Sequence, residues 1–116
     1  MRVYIAGPMA TSGEPGPNLH AAAVAAAEVI RAGHSPYVPH LTWILDAIAP
    51  FPRGEWQHQS LAWIETCGAL IRLPGESVGA DAEARYARTL GIPVFFSVAG
   101  WREWLDAAGK PGGGAP

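Results

Sequence analysis

Cysteine is nearly absent from this chain of 116 residues, since Cys67 is the only one. A single cysteine cannot form a disulfide within the chain, which favours a reducing compartment. Basic residues are also few: eight Lys and Arg stand against ten Asp and Glu, giving a net charge of −2. Proteins that bind nucleic-acid polymers or anionic membranes usually carry a positive excess. We therefore expect neither a nucleic-acid partner nor a membrane partner.

Long apolar runs are missing as well. No segment approaches the roughly 18 uninterrupted apolar residues of a membrane-spanning helix, and the apolar run within residues 1–7 is too short for a signal peptide. No metal-ligand spacing relates the four histidines, which are His20, His34, His40 and His58. We predict a cytoplasmic protein that holds neither a metal nor a cofactor.

The residues that are present predict an α/β fold. Strand-like and helix-like segments alternate, which is typical of a parallel sheet covered by helices on both faces. We predict strands over 2–6, 35–39, 69–73 and 92–98, and helices over 19–32, 41–48, 55–65, 80–90 and 101–108. The expected architecture is a Rossmann-like or flavodoxin-like three-layer domain with four to five strands. It would span residues 1–108 and precede a flexible tail at 109–116.

Two loops are expected to bind the ligand, because ligands in such folds lie beside the carboxyl ends of the strands. These loops are residues 7–18, after the first strand, and residues 74–79, after the third. Asn18 is predicted to cap the first helix. Residues 40–55 show no clean periodicity, and we predict that they form a mobile lid.

Glu83 does not match its surroundings. Successive residues of a helix are rotated by about 100°, which places Glu83 inside an apolar arc of the predicted helix. That arc consists of Ala80, Ala84, Ala87 and Leu90. A carboxylate in such a place has a raised pKa and is a candidate nucleophile or acid/base. The alternative is that Glu83 reaches solvent at the helix margin or stabilises the helix N-terminus.

The loop before this helix contains Ser77 and Gly79. A hydroxyl and backbone N–H groups at a helix N-terminus can bind phosphate, although Ser77 would serve equally as an ordinary N-cap. Gly7 and Pro8, which follow the first strand, belong either to a binding loop or to a simple turn. Local pattern alone leaves these alternatives open.

Two motifs resemble those of the nucleoside 2-deoxyribosyltransferase-like family, which includes 2′-deoxynucleoside 5′-monophosphate N-glycosidases. Residues 3–9, VYIAGPM, are similar to the Y-x-x-G-P opening of that family. Residues 77–87 read S-x-G-x-x-x-E-x-x-x-A and, with GIPV at 91–94, resemble its second motif. The resemblance covers about residues 2–98.

The resemblance implies a Rossmann-like fold and cleavage of the bond between a base and deoxyribose or ribose. Glu83 would be the nucleophile that attacks the anomeric carbon, and water or a second base would resolve the glycosyl ester. Tyr4 matches the tyrosine that positions the nucleophile. The substrate-binding residues implied are Gly7, Pro8, Met9, Ser60, Ser77 and Gly79. The implied partner is a small nucleoside or nucleotide.

The resemblance also implies a homodimer, because the family is commonly oligomeric. Trp101 and Trp104 lie on the last predicted helix. An exposed tryptophan pair would form a suitable dimer contact, and the alternative is that the two side chains pack inside the domain.

Three positions refine the expected substrate and activity. At the position of Ser77, the resemblance implies phosphate binding by serine, whereas relatives that bind free nucleosides have an acidic residue there. A 5′-monophosphate is therefore expected, since a carboxylate would repel phosphate. Ser60 replaces a usual aspartate that is thought to protonate the leaving base, and Gly68 replaces a second aspartate.

Loss of a general acid typically costs about 10²–10⁴ in rate. The alternative function is therefore a nucleotide-binding protein of the same fold without catalysis. A flavodoxin-like electron carrier is disfavoured, because the loop after the first strand, where flavin phosphate usually binds, is rich in proline.

Overall fold

The computed structural model of the chain describes residues 1–9 and 16–108, apart from the side chain of Arg53. The proposed tail at 109–116 lies outside the described residues. The elements in chain order are β1 (Arg2–Ala6), α1 (Gly16–Arg31), β2 (Ser35–Tyr37), a 3-10 helix (Pro39–Leu41), α2 (Thr42–Ile48), α3 (Arg53–Ile64), β3 (Ala69–Arg72), α4 (Val78–Thr89), β4 (Val94–Phe95) and α5 (Val98–Ala108).

The four strands form one parallel sheet in the order β2-β1-β3-β4. The two central strands, β1 and β3, are the most buried, and of their residues only Arg2 is exposed, because helices cover both faces of the sheet. The α/β class and the Rossmann-like, three-layer arrangement predicted from the sequence are confirmed.

Among the described residues, no helix combines the length and apolar character needed to cross a bilayer.

Side chains alternate along β1, so the strand supplies both layers of the core. Val3 and Ile5 pack with α1 and α5 on one face, in a cluster that includes the fully buried Trp101. Tyr4 and Ala6 point to the opposite face, where α3 and α4 pack. The sheet pleat therefore places Tyr4 on the same side as the helix that carries Glu83.

The last strand is shorter than the predicted range 92–98. Only Val94 and Phe95 pair with β3. The hydroxyl of Ser97 accepts a hydrogen bond from the Gly100 amide at 2.9 Å and caps α5. The final helix consequently begins at Val98, three residues before the predicted start.

Three further details differ from the predictions. Asn18 does not cap α1, because the helix already begins at Gly16, and its side chain donates to the Met9 carbonyl at 3.2 Å instead. Leu90 is 45% exposed, since α4 ends just before it. Trp101 is buried, so the prediction that Trp101 and Trp104 form an exposed pair is wrong.

Candidate functional site

A cavity of about 270 Å³ lies where β1 and β3 end, between α2, α3 and α4. Its position agrees with the general rule for ligand sites in parallel α/β folds. The side chains and glycines that line it are Gly7, Met9, Thr42, Trp43, Asp46, Trp56, Gln57, Ser60, Ser77, Gly79, Ala80 and Glu83. The cavity thus contains six of the eight site residues proposed from the sequence. Pro8 and Tyr4 are outside this set.

Tyr4 lies directly beneath the cavity and contacts its carboxylate. The Tyr4 hydroxyl donates a hydrogen bond to Oε2 of Glu83, although 79 residues separate the two along the chain. Burial raises the pKa of Tyr4 well above its usual range, and the charge of Glu83 raises it further. The tyrosine therefore stays protonated at neutral pH and orients the glutamate as a permanent donor.

Glu83 is 5% exposed. Burial raises the pKa of its carboxyl to about 7, against the opposing effects of hydrogen bonds from Tyr4 and Ser60 and of the charge of Arg72. A carboxylate that is buried in a cavity and titrates near neutral pH fits the profile of a catalytic group. Neither solvent exposure nor a role at the helix N-terminus accounts for its position.

Ser60 lies on α3 and is 4% exposed. Its hydroxyl lowers the pKa of both Glu83 and Tyr4 through hydrogen bonding. The residue that replaces the family aspartate is therefore in the site and supports the charged form of Glu83. A serine hydroxyl is a poor general acid, so it does not reproduce the proton donor that the resemblance implies.

Gly68 lies at the other end of β3. Its amide donates to the carbonyl of Arg2 at 2.8 Å, at the amino ends of the strands. The absence of an aspartate at this position therefore does not alter the cavity directly. His58 is exposed on α3 and does not line the cavity.

Ser77 caps α4. Its Oγ accepts a hydrogen bond from the Ala80 amide at 3.1 Å, so Ser77 is an N-cap residue, as one of the two sequence interpretations predicts. The hydroxyl proton is still available to a ligand, because the cap uses the oxygen as acceptor. The amides of Val78 and Gly79 belong to the first turn, where no intrahelical acceptor exists. The N-terminus of α4 thus presents donors beside the cavity.

The two predicted binding loops touch each other at Gly75 and Pro8. Gly75 has a φ of +116°, and a Cβ there would lie 2.7 Å from Cγ of Pro8. Nε2 of the buried His40 donates to the Pro8 carbonyl at 2.9 Å. Burial lowers the pKa of His40, which keeps the ring neutral. Pro8 therefore holds the loops together, while Gly7 and Met9 face the cavity.

Arg72, at the end of β3, was missed by the sequence reasoning. Its buried guanidinium donates to the carbonyls of Leu73 and Gly75 and forms an ion pair of 3.0 Å with Asp81. These contacts fix the β3–α4 loop and the first turn of α4. The sequence did contain a signal for this role, because Arg72 is a cationic residue at the end of the otherwise apolar segment ALIR of β3.

Two further polar residues of the cavity were also missed. Asp46, on α2, accepts hydrogen bonds from the Trp56 indole at 2.6 Å and from the Phe51 amide at 3.1 Å. Gln57, on α3, has a buried Nε2 without a hydrogen-bond partner in the described part of the chain. Its Oε1 would lie 3.5 Å from a Cβ at Gly79, so its amide adjoins the start of α4.

Among the residues that the structure describes, those that line the cavity include two carboxylates, Asp46 and Glu83, and no lysine or arginine. In residues 1–9 and 16–108, no three His, Cys, Asp or Glu side chains are grouped as metal ligands. The hydroxyl, amide and carboxylate groups of the cavity suit an organic ligand with both hydrogen-bond donors and acceptors.

A family described as a domain of unknown function (DUF4406) matches residues 1–96. The chain belongs to this family. The matched region contains β1 to β4 and all the described residues that line the cavity, whereas α5 lies beyond it. No curated protein matches the chain. The description of DUF4406 names no activity, so a function has to be argued from the site.

Proposed function

We propose that this protein cleaves the N-glycosidic bond of a nucleoside 5′-monophosphate, with Glu83 as the nucleophile. The observation that carries the proposal is the buried Glu83 carboxylate, held by the Tyr4 hydroxyl at a cavity beside the strand ends. The same pair of residues occupies the two motifs that resemble nucleoside 2-deoxyribosyltransferases. The proposal therefore rests on geometry and on sequence pattern together.

The reaction would proceed in two steps. An oxygen of Glu83 forms a bond to the anomeric carbon, while the bond to the base breaks and its electron pair stays on the base nitrogen. Water or a second base then attacks the same carbon and releases the carboxylate, so that the configuration is retained. In the hydrolytic case, the proton lost by water balances the one taken up by the base.

Protonation of the departing base is the weak point of the site. Ser60 takes the place of the acid, and a hydrogen-bonded serine does not release a proton at neutral pH. Because a general acid typically contributes about 10²–10⁴ in rate, we expect slow turnover. Bases that leave readily without protonation would be the preferred substrates.

The N-terminus of α4 supports a 5′-phosphate subsite. The Ser77 hydroxyl and the amides of Val78 and Gly79 are donors at the positive end of a helix dipole. Gly79 and Glu83 are four residues apart, so about one helical turn, roughly 6 Å, separates them. A ribose ring can span that distance between its anomeric carbon and its 5′ group.

A homodimer is also proposed, on the strength of the outward face of α2. The large apolar side chains of Ile44, Leu45 and Ile48 are exposed there, as is that of Leu41 just before the helix, in an almost uncharged stretch. An exposed apolar patch of this kind is typical of an interaction surface. The patch adjoins the cavity because Thr42, Trp43 and Asp46 of the same helix line it.

A second candidate is a nucleotide-binding protein without catalysis. The observation that favours it is Ser60, which sits next to Glu83 without acid chemistry of its own. In that case, the cavity and the donors of α4 would bind a nucleotide that remains intact.

One assay separates the two candidates. The protein is incubated with a panel of nucleosides and their 5′-monophosphates, in ribo and deoxy forms, and released base is measured by chromatography. Release from monophosphates alone, abolished by Glu83→Gln, is the expected result. Failure of every compound to release base, combined with a thermal shift on adding a nucleotide, would favour the binding protein. Equal release by the Glu83→Gln variant would contradict a nucleophilic role.

A further inference from the structure

The helix α2 presents its polar side chains inward. Thr42 and Asp46 are one turn apart and both line the cavity, whereas Ile44, Leu45 and Ile48 are exposed. Asp46 is also the only Asp, Glu, Lys or Arg between residues 41 and 52. A lone carboxylate on the cavity side of an otherwise uncharged helix has no role in the fold beyond its two local hydrogen bonds.

Both hydrogen bonds to Asp46 end on the same oxygen. The Trp56 indole and the Phe51 amide each donate to Oδ1, which leaves Oδ2 without a partner among the described residues. These two donors lower the pKa of Asp46, so that the side chain is ionised at neutral pH. Asp46 is therefore suited to accept a hydrogen bond from a ligand and not to donate a proton.

The surroundings of Asp46 suit a flat aromatic ligand. The indole rings of Trp43 and Trp56 line the same cavity, and the Trp56 ring is fixed by its bond to Oδ1. Base–aromatic stacking is sequence-tolerant, whereas a carboxylate oxygen selects groups that carry a hydrogen. Selectivity in such a subsite would therefore come from Asp46.

The cavity also has a polarity that orients the ligand. Donors collect at the start of α4, where the Ser77 hydroxyl and the first-turn amides lie beside the Gln57 amide. The unpaired acceptor, Oδ2 of Asp46, belongs to a different helix of the lining, α2. An anionic or oxygen-rich 5′ group fits the α4 side, with Glu83 deeper along the helix, and the base then falls toward α2.

We propose that Asp46 reads the base: its Oδ2 accepts a hydrogen bond from an exocyclic amine or ring N–H of a base that lies against Trp43 and Trp56. The identification of the ligand as a nucleotide rests on the proposed function. The expected substrates are therefore nucleotides whose base carries a hydrogen-bond donor on its outer edge. Unsubstituted purine and 2-pyrimidinone, which lack the amine of adenine and cytosine, would bind more weakly.

The substitution Asp46→Asn provides an inversion test. The Trp56 indole and the Phe51 amide require an acceptor, so they hold the amide oxygen of Asn at the Oδ1 position. The NH₂ group must then occupy the position of Oδ2, so that the group facing the base changes from a hydrogen-bond acceptor into a donor. The shape of the side chain is almost unchanged. Asp106→Asn, on the exposed face of α5, is the matched control.

Binding is measured by calorimetry in a Glu83→Gln background, so that no turnover is needed. The probes are two matched pairs of deoxynucleoside 5′-monophosphates, adenine with purine and cytosine with 2-pyrimidinone. The amine-bearing member of at least one pair should bind about 10-fold to 100-fold more tightly, which is the range for a hydrogen bond to a charged group. Asp46→Asn should abolish or reverse that preference, and Asp106→Asn should leave it intact.

The outcomes distinguish this inference from the proposed function. An unchanged preference in Asp46→Asn, with the fold confirmed by an unaltered thermal unfolding midpoint, would overturn the base-reading role even if the wild type releases base. A preference that reverses in Asp46→Asn would support it even if the wild type releases no base, and only the catalytic proposal would then fail. Absence of binding by every probe would overturn the inference.

Discussion

At the scale of single residues, Glu83 is subject to opposing influences. Burial disfavours its charge, whereas the Tyr4 hydroxyl, the Ser60 hydroxyl and the Arg72 guanidinium favour it, and the resulting pKa is about 7. Only the ionised form can attack an anomeric carbon. The fraction of competent protein therefore changes within the physiological range of pH.

This balance predicts the pH dependence of the proposed reaction. The value of kcat/KM should rise with pH through about 7, as Glu83 loses its proton, and then level off. The profile is measured from pH 5 to pH 9 with the best substrate of the panel. A rate that stays constant across this interval would argue against Glu83 as the group that ionises.

Tyr4 offers a second prediction at this scale. The variant Tyr4→Phe keeps the buried ring, which stacks on Tyr37 at 5.5 Å, and removes only the donor to Glu83. Because the hydrogen bond lowers the pKa of Glu83, the midpoint of the pH–rate profile should move to higher pH. A reduced rate with an unmoved midpoint would indicate that Tyr4 contributes only packing. Tyr37→Phe is a control that leaves the donor in place.

At the scale of elements, the contact between the β1 and β3 loops depends on a glycine. Gly75→Ala would place a methyl group against Pro8 and force a positive φ on alanine, so the free energy of unfolding should fall by about 1–3 kcal/mol or more. Gly33→Ala is the matched control, since Gly33 has a φ of +88° with open space around it. Chemical denaturation of both variants separates the clash from the backbone strain. Equal losses would show that the contact with Pro8 contributes nothing.

The helix α2 carries the prediction that residues 40–55 form a mobile lid. Within one chain only Thr42 of this helix is buried, so in a dilute, monomeric sample its amides should exchange with deuterium much faster than those of β1 or β3. A bound nucleotide that contacts Trp43 and Asp46 should slow that exchange. Full protection of α2 in the free protein would contradict a lid.

The elements show what sequence patterns can and cannot predict. The apolar runs of β1 and β3 and the arc that contains Glu83 were recognisable, because period and composition agree there. The start of α5 was missed because it is set by the Ser97 cap, within a stretch that reads as strand. Asp46 and Gln57 were missed because their roles depend on how α2 and α3 pack, and the local sequence pattern does not reveal that packing. Arg72 was missed because its partners, in the β3–α4 loop and at Asp81 of α4, are brought to it only by the fold.

At the scale of the whole molecule, the site exists because β1 and β3 are neighbours. Their pairing and the pleat bring Tyr4 beneath α4, and α3 packs beside α4 on the same face of the sheet. Glu83, Tyr4 and Ser60, to which the proposed reaction assigns its nucleophile and the groups around it, therefore come from three separate segments of the chain. Each of them also belongs to the packed interior, so the proposed catalysis and the stability of the fold are coupled.

This coupling predicts the dependence of global stability on pH. The folded pKa of Glu83, about 7, lies above its ordinary value of 4.5. The free energy of unfolding should therefore fall as pH rises from about 4.5 to about 7, by on the order of 3 kcal/mol for this group. Denaturation at a series of pH values should show a weaker fall in Glu83→Gln. If the wild type and the variant show the same dependence, Glu83 does not ionise in a buried state.

Trp101 has a consequence for where this domain ends. The match to DUF4406 stops at residue 96, yet Trp101 is fully buried against the sheet, together with Val3 and Ile5. Loss of a buried tryptophan typically costs about 3–5 kcal/mol, a large part of the stability of a small domain. A fragment cut at the family boundary would keep every described residue of the cavity and yet lose this contribution to its stability. The physical unit is thus longer than the unit by which the family is recognised.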